Sequence, residues 1–104
     1  SKLNIPMPPQ SNDELFFKMW PHVENFLEKH RPEFILFQCG ADSIKGDPIT
    51  DMQYSQLAHA HAANRLAEIA EQHCSGRLLA MGGGGYNHEN IAKTWTAVVD
   101  AMAD

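Results

Sequence analysis

Residues 77–87 read Arg77-Leu78-Leu79-Ala80-Met81-Gly82-Gly83-Gly84-Gly85-Tyr86-Asn87. A short apolar run broken by four consecutive glycines is a strand that ends abruptly in a loop. The glycines permit backbone conformations and close approaches that side chains forbid. Upstream, Phe34-Ile35-Leu36-Phe37 is a second continuous apolar run. Runs of this kind fit strands buried on both faces of a parallel sheet. Between the two lies a segment from about Gln53 to Gln72 in which Leu57, Ala58, Ala62, Leu66, Ile69 and Ala70 recur at helical spacing. Strand, helix, strand is a βαβ unit, with parallel strands and a right-handed crossover expected. Gly76 closes the connection into the second strand.

On either side of this unit the pattern predicts two more helices. Ser11 with Glu14 three residues later has the form of a capping box. Leu15, Met19, Val23 and Phe26-Leu27 then follow at helical spacing, and the helix should end before Pro32. Pro21 lies inside it and is expected to kink or divide it. At the other end Ile91, Trp95, Val98-Val99 and Met102 share one face of a last helix. The predicted order is helix, strand, helix, strand, helix. Two strands cannot build a full doubly wound core, so the chain reads as part of a wider α/β sheet.

Bulk properties narrow the function. The chain has 104 residues, 43% hydrophobic and 20% charged, as a globular fold requires. Its formal charge is −5, from 13 acidic and 8 basic side chains without long runs. Clustered phosphate contacts, and hence direct nucleic-acid binding, are not expected. No stretch approaches the roughly 20 apolar residues that span a bilayer. Residues 1–10 contain Pro6, Pro8 and Pro9 and lack a basic region followed by an apolar run, so an extended lead-in and no signal peptide is the expectation. Cys39 and Cys74 are far apart and form no C-x-x-C motif, so a reducing, cytoplasmic compartment is expected.

In open α/β sheets chemistry gathers in the loops after the strands. Two loops qualify: Gln38-Cys39-Gly40-Ala41-Asp42-Ser43-Ile44-Lys45-Gly46-Asp47 and Gly82-Gly83-Gly84-Gly85-Tyr86-Asn87. As the ends of one βαβ unit they can face a common crevice. Asp42 is a hard oxygen donor, either a metal ligand or a turn-capping aspartate. Tyr86 is either a phenol that donates to a developing oxyanion or an amphipathic residue packed beside the sheet. A dinucleotide site is disfavoured because Asn87 stands where G-x-G-x-x-G needs its third glycine, and no Gly-Lys-Ser/Thr follows to make a phosphate-binding P-loop.

Taken together, Phe37-Gln38-Cys39-Gly40-Ala41-Asp42-Ser43-Ile44-Lys45-Gly46-Asp47-Pro48 and Gly82-Gly83-Gly84-Gly85-Tyr86-Asn87 resemble two segments of the histone deacetylase superfamily. The spacing between them, Ala92-Lys93-Thr94-Trp95, and the lead-in Asn4-Ile5-Pro6-Met7-Pro8-Pro9 with Asp13-Glu14 fit as well. The likeness runs over essentially the whole chain and is nearest to bacterial histone-deacetylase-like and acetoin-utilisation-type proteins. It implies an arginase-like α/β fold of which residues 1–104 are a C-terminal part. It also implies a hydrolase that removes acetyl groups from acetyl-lysine, acetylated polyamines or other small acyl-amines, with water activated by a bound zinc ion. By resemblance Asp42 is a zinc ligand, Tyr86 stabilises the oxyanion, and Ile49, Gly84 and Gly85 line the substrate channel.

The family's Asp-x-His and His-His segments do not occur in these residues, so the chain alone is expected to be inactive and not to retain zinc. Local histidines do not replace them. His59 and His61, two apart on a helix, point about 200° apart. His22, His30, His73 beside Cys74, and His88 read as structural. A stand-alone, non-catalytic module that binds a partner is the alternative. A bare sheet edge is expected in either case, with self-association through it.

Overall fold

A computed structural model describes residues 1–103. Its elements are α1 (Asp13–His30), β1 (Ile35–Gln38), α2 (Gln56–His73), β2 (Leu78–Met81) and α3 (His88–Ala103). The order expected from the sequence is the order found. β1 and β2 pair in parallel, with Ile35 opposite Leu78 and Gln38 opposite Met81.

The first helix starts one residue later than the capping-box reading places it. Asn12 is the cap, its side chain accepting from the Leu15 N–H at 3.2 Å. Ser11 is buried, and its hydroxyl donates instead to the Pro8 carbonyl. Asp13 and Glu14 in the first turn and Lys29 and His30 in the last oppose the helix dipole favourably. Arg31 ends the helix in the left-handed conformation with Pro32 behind it. Pro21 does not divide α1. A proline costs its helix roughly 3 kcal/mol, but the turn it weakens is fixed by its neighbour. Trp20 is buried against Ala62 and Leu66 of α2 and donates its indole N–H to Glu24. Glu24 in turn takes both Nε and Nη2 of Arg65 from α2, at 2.9 and 2.8 Å.

The second helix begins at Gln56, not Gln53. Gln53 and Tyr54 are held extended by single parallel bridges to Asn12 and Ile44. Ser55 caps the helix, accepting from Leu57 N–H at 3.1 Å, and Asp13 of α1 holds Ser55 through both its N–H and its hydroxyl. The buried arc of α2 is Ala58, His59, Ala62, Ala63, Leu66, Ile69 and Ala70. Leu57 falls outside it and is 61% exposed. Alanines on this arc let α3 approach closely, and Ala63, Thr94 and Val98 are all sealed from solvent.

Ile35 and Phe37 of β1 and Leu78 and Ala80 of β2 pack with side chains of all three helices. The opposite face is different. Leu36 is 66% exposed and Leu79 52%, with Phe34 and Met81 also exposed. The expectation of a β1 buried on both faces is therefore not met within these residues, because the helices they contain all lie on one side. No helix among the described residues is long and apolar enough to cross a membrane.

Candidate functional site

Both strand-end loops leave the sheet at the same end, and the backbone joins them at once. The Cys39 N–H extends the ladder to the Met81 carbonyl, and Ala41 N–H donates to the Gly84 carbonyl at 2.7 Å. The approach is too close for side chains. A Cβ on Gly40 would lie 2.7 Å from the Gly84 nitrogen, and one on Gly84 would collide with the Asp42 carboxylate. Gly85 has φ +147°, a conformation that L side chains rarely adopt. The glycine run is thus a sliding fit against the first loop.

A second seam lies further out. Asp47 accepts the Ile49 and Thr50 N–H groups on Oδ1, at 2.8 and 3.0 Å. Its Oδ2 accepts the Tyr86 N–H at 2.9 Å. Asn90, buried in the first turn of α3, donates Nδ2 to the Lys45 carbonyl at 3.1 Å, and Asn87 reaches the Gly46 carbonyl at 3.5 Å. Asn87 also accepts the Asn90 N–H, the bond of a helix N-cap. Burial works against an Asp47 anion, but the three N–H donors from Ile49, Tyr86 and Thr50 outweigh it and hold its pKa below the ordinary 3.8.

Asp42 sits in the inner part of this arrangement, its carboxylate against Gly84. It also lines a cavity of about 250 Å³ with Gln38, Cys39, Gly40, Tyr54 and His59 among others. Burial pushes the Cys39 thiol's pKa up, which keeps it in the unreactive thiol form. Tyr86 and Ile49 lie on the outer side, 55% and 71% exposed. The structure therefore brings Asp42, Gly84, Gly85 and the Tyr86 backbone into one interlocked unit. The Ile49 backbone is bound to the same carboxylate as Tyr86.

Two contributors carry no clear sequence signal. His59, a polar residue on an apolar arc, places Nε2 2.8 Å from the Gly40 carbonyl. That contact requires Nε2 to carry the proton and leaves the buried Nδ1 without a partner. Asp47 could have been suspected from Asp-Pro-Ile-Thr, since an aspartate often binds N–H groups two and three residues on. Its bond to Tyr86, 39 positions away, could not. His61 faces away from His59 and packs on Phe17 and Trp20.

For a metal the donor set is incomplete. A catalytic zinc normally takes three protein ligands. Among the described residues no group of three His, Cys, Asp or Glu side chains lies close enough to hold one ion. These residues do not by themselves fit a metal, and Asp42 is at most one arm of a site.

A parallel βαβ core with helices on one side and two interlocked loops at the strand ends is a portion of a deacetylase-type α/β fold. Solved structures carry the same arrangement. The HD domain of HDA15 superposes with a TM-score of 0.82 at 23% identity, covering 91% of this chain and 26% of that one. The histone deacetylase Clr3 gives 0.85 at 22% identity, covering 96% and 16%. The family model described as "Histone deacetylase domain" matches residues 1–102, and the chain belongs to the histone deacetylase family. A probable deacetylase of Archaeoglobus fulgidus is 34% identical over 103 residues, covering 97% of this chain and 29% of the relative. Histone deacetylase 6 of Arabidopsis thaliana is 33% identical over 94 residues, covering 89% and 19%. The chain thus spans less than a third of the length of each of these relatives.

Proposed function

We propose that this chain is the tyrosine-bearing C-terminal part of a zinc-dependent deacetylase that hydrolyses the amide of acetyl-lysine, an acetylated polyamine or another small acyl-amine. The observation that carries the reading is the interlock of the Asp42 loop with the Gly82–Tyr86 loop, in a chain that matches the family over residues 1–102. In this reading Asp42 gives zinc one carboxylate ligand, and the remaining ligands and the proton-transfer groups come from outside these residues. Zinc, when bound, supplies Lewis acidity and an activated water. Tyr86 donates its phenolic proton as a hydrogen bond to the acyl oxygen as charge grows there. Gly84 and Gly85 keep the channel wall free of side chains, and Ile49 adds an apolar surface beside it.

The test uses the intact protein that contains this chain, assayed on acetyl-lysine peptides and acetylated polyamines. Asp42→Asn is expected to lose metal. Tyr86→Phe is expected to keep metal and lose turnover by about 10²- to 10³-fold, as removal of an oxyanion donor does elsewhere. Wild-type turnover in both variants would overturn the assignment. Residues 1–104 alone are expected to show no hydrolysis above a Tyr86→Phe control. The exposed face of Phe34, Leu36, Leu79 and Met81 favours a second reading, a non-catalytic module that binds a partner there.

A further inference from the structure

We propose that Asp47 is a positioning residue for Tyr86, a carboxylate clamp that fixes the tyrosine backbone and the Ile49 wall in one frame. The proposal rests on the deacetylase reading for its consequence in turnover, but not for the clamp itself.

Asp47 follows Gly46, which has φ +99°, and precedes Pro48. An aspartate there would satisfy a local turn with one oxygen, and Oδ1 does so through Ile49 and Thr50. A turn has no use for Oδ2. That oxygen instead takes the Tyr86 N–H across the crevice at 2.9 Å. The donors arrive from two loops, and a carboxylate is acceptor-only on both oxygens. Asp47 also holds its anionic form more readily than a free side chain, as such donors require. The flanking bonds, Asn90 to the Lys45 carbonyl and Asn87 to the Gly46 carbonyl, align the same two segments but touch neither Tyr86 nor Ile49 directly. Tyr86 is the last residue but one before α3, and among the described residues no other acceptor takes its N–H. Tyr86 is exposed and its hydroxyl has no partner among the hydrogen bonds of the described residues, so the clamp acts on its aim through the backbone from which the side chain starts.

Asparagine at position 47 separates the two duties. It keeps size and shape but has one acceptor oxygen and one NH₂ group. If its oxygen stays with Ile49 and Thr50, its NH₂ faces the Tyr86 N–H, donor against donor.

Two measurements on the intact protein test this. The first is amide exchange. Asp47→Asn should speed exchange at the Tyr86 N–H while leaving that of Val98 in the α3 core unchanged. Unchanged exchange at Tyr86 overturns the clamp, whatever the enzyme's activity. The second is a double-mutant cycle in turnover. Asp47→Asn should lower kcat roughly tenfold to a hundredfold, the scale of an ångström of misplacement, with metal content and KM held. In a Tyr86→Phe background it should cost less than about twofold, because the hydroxyl it aims is gone. An equal loss in both backgrounds overturns the positioning role and makes Asp47 merely structural. A Tyr86→Phe enzyme as fast as wild type refutes the deacetylase assignment instead, and the exchange result still decides the clamp.

Discussion

Gly84→Ala and Gly82→Ala lie two positions apart in a run of four glycines, and the geometry sets their consequences far apart. At Gly82 a new methyl would meet only the Trp95 ring, at 3.7 Å, an ordinary contact. Its backbone angle is not in the left-handed region, so alanine there should be neutral or should stabilise by about 0.4–1 kcal/mol through the unfolded chain. At Gly84 the methyl would overlap the Asp42 carboxylate and approach the Asp42 Cβ to 3.2 Å. Gly84 cannot retreat, because its carbonyl accepts from Ala41 at 2.7 Å and Gly40 lies against its backbone. The loops must separate or the carboxylate must turn. Overpacking of this kind costs about 1–3 kcal/mol. Movement of Asp42 by about an ångström should also cost turnover on the order of 10²-fold. Urea unfolding, metal content and kcat, measured on the pair in the intact protein, give the comparison. If Gly84→Ala matches Gly82→Ala in all three, the close fit of the two loops is not what holds the site.

Acid should loosen the fold. Glu24 is held below its ordinary 4.5 chiefly by its hydrogen bonds to Arg65, opposed by burial, and Asp47 lies below 3.8 through its N–H donors. Groups depressed on folding stabilise fully above their unfolded values, and that share is lost as pH falls through the folded ones. Melting temperature should therefore drop below about pH 4.5, and a Glu24→Gln, Asp47→Asn variant should show a shallower drop; parallel curves would exclude both carboxylates as the source. Residues 1–104 alone should self-associate through the bare sheet face, and Leu36→Lys with Leu79→Lys should weaken that association; sedimentation of the unmodified chain as a folded monomer would contradict it. Trp20→Ala should destabilise by about 3–5 kcal/mol in urea unfolding, since the ring is buried and stacks on Phe16 at 5.6 Å; a loss under 1 kcal/mol would show that α1 is not anchored there.

The sequence made the element order, the βαβ unit and the two strand-end loops legible, because apolar periodicity and glycine placement act locally. Where it misled, a distant partner had won. Gln53 and Tyr54 have helical neighbours, yet Asn12 and Ile44 hold them extended. Pro21 should break a helix, yet Trp20 and Glu24 secure the turn against α2. Leu57 fits the stripe by type, but His59 takes the buried place and spends its donor on Gly40. At the candidate site, the family likeness singles out Asp42 and Tyr86, and the structure places their two loops side by side. Asp47 was in plain view within the same motif, but its second oxygen acts over a span that no local pattern encodes.

The interlock of the two loops has a thermodynamic corollary. Glycine loses more backbone freedom on ordering than any other residue, so residues 82–85 are costly to hold still by themselves. They are held by the loop that carries Asp42, and that loop is held by them. Disorder in one arm therefore releases the other, and the two open as a single local unit. By linkage, a ligand that binds only the closed form of either arm stabilises both. Whatever grips Asp42 would, without touching Tyr86, also quiet the tyrosine.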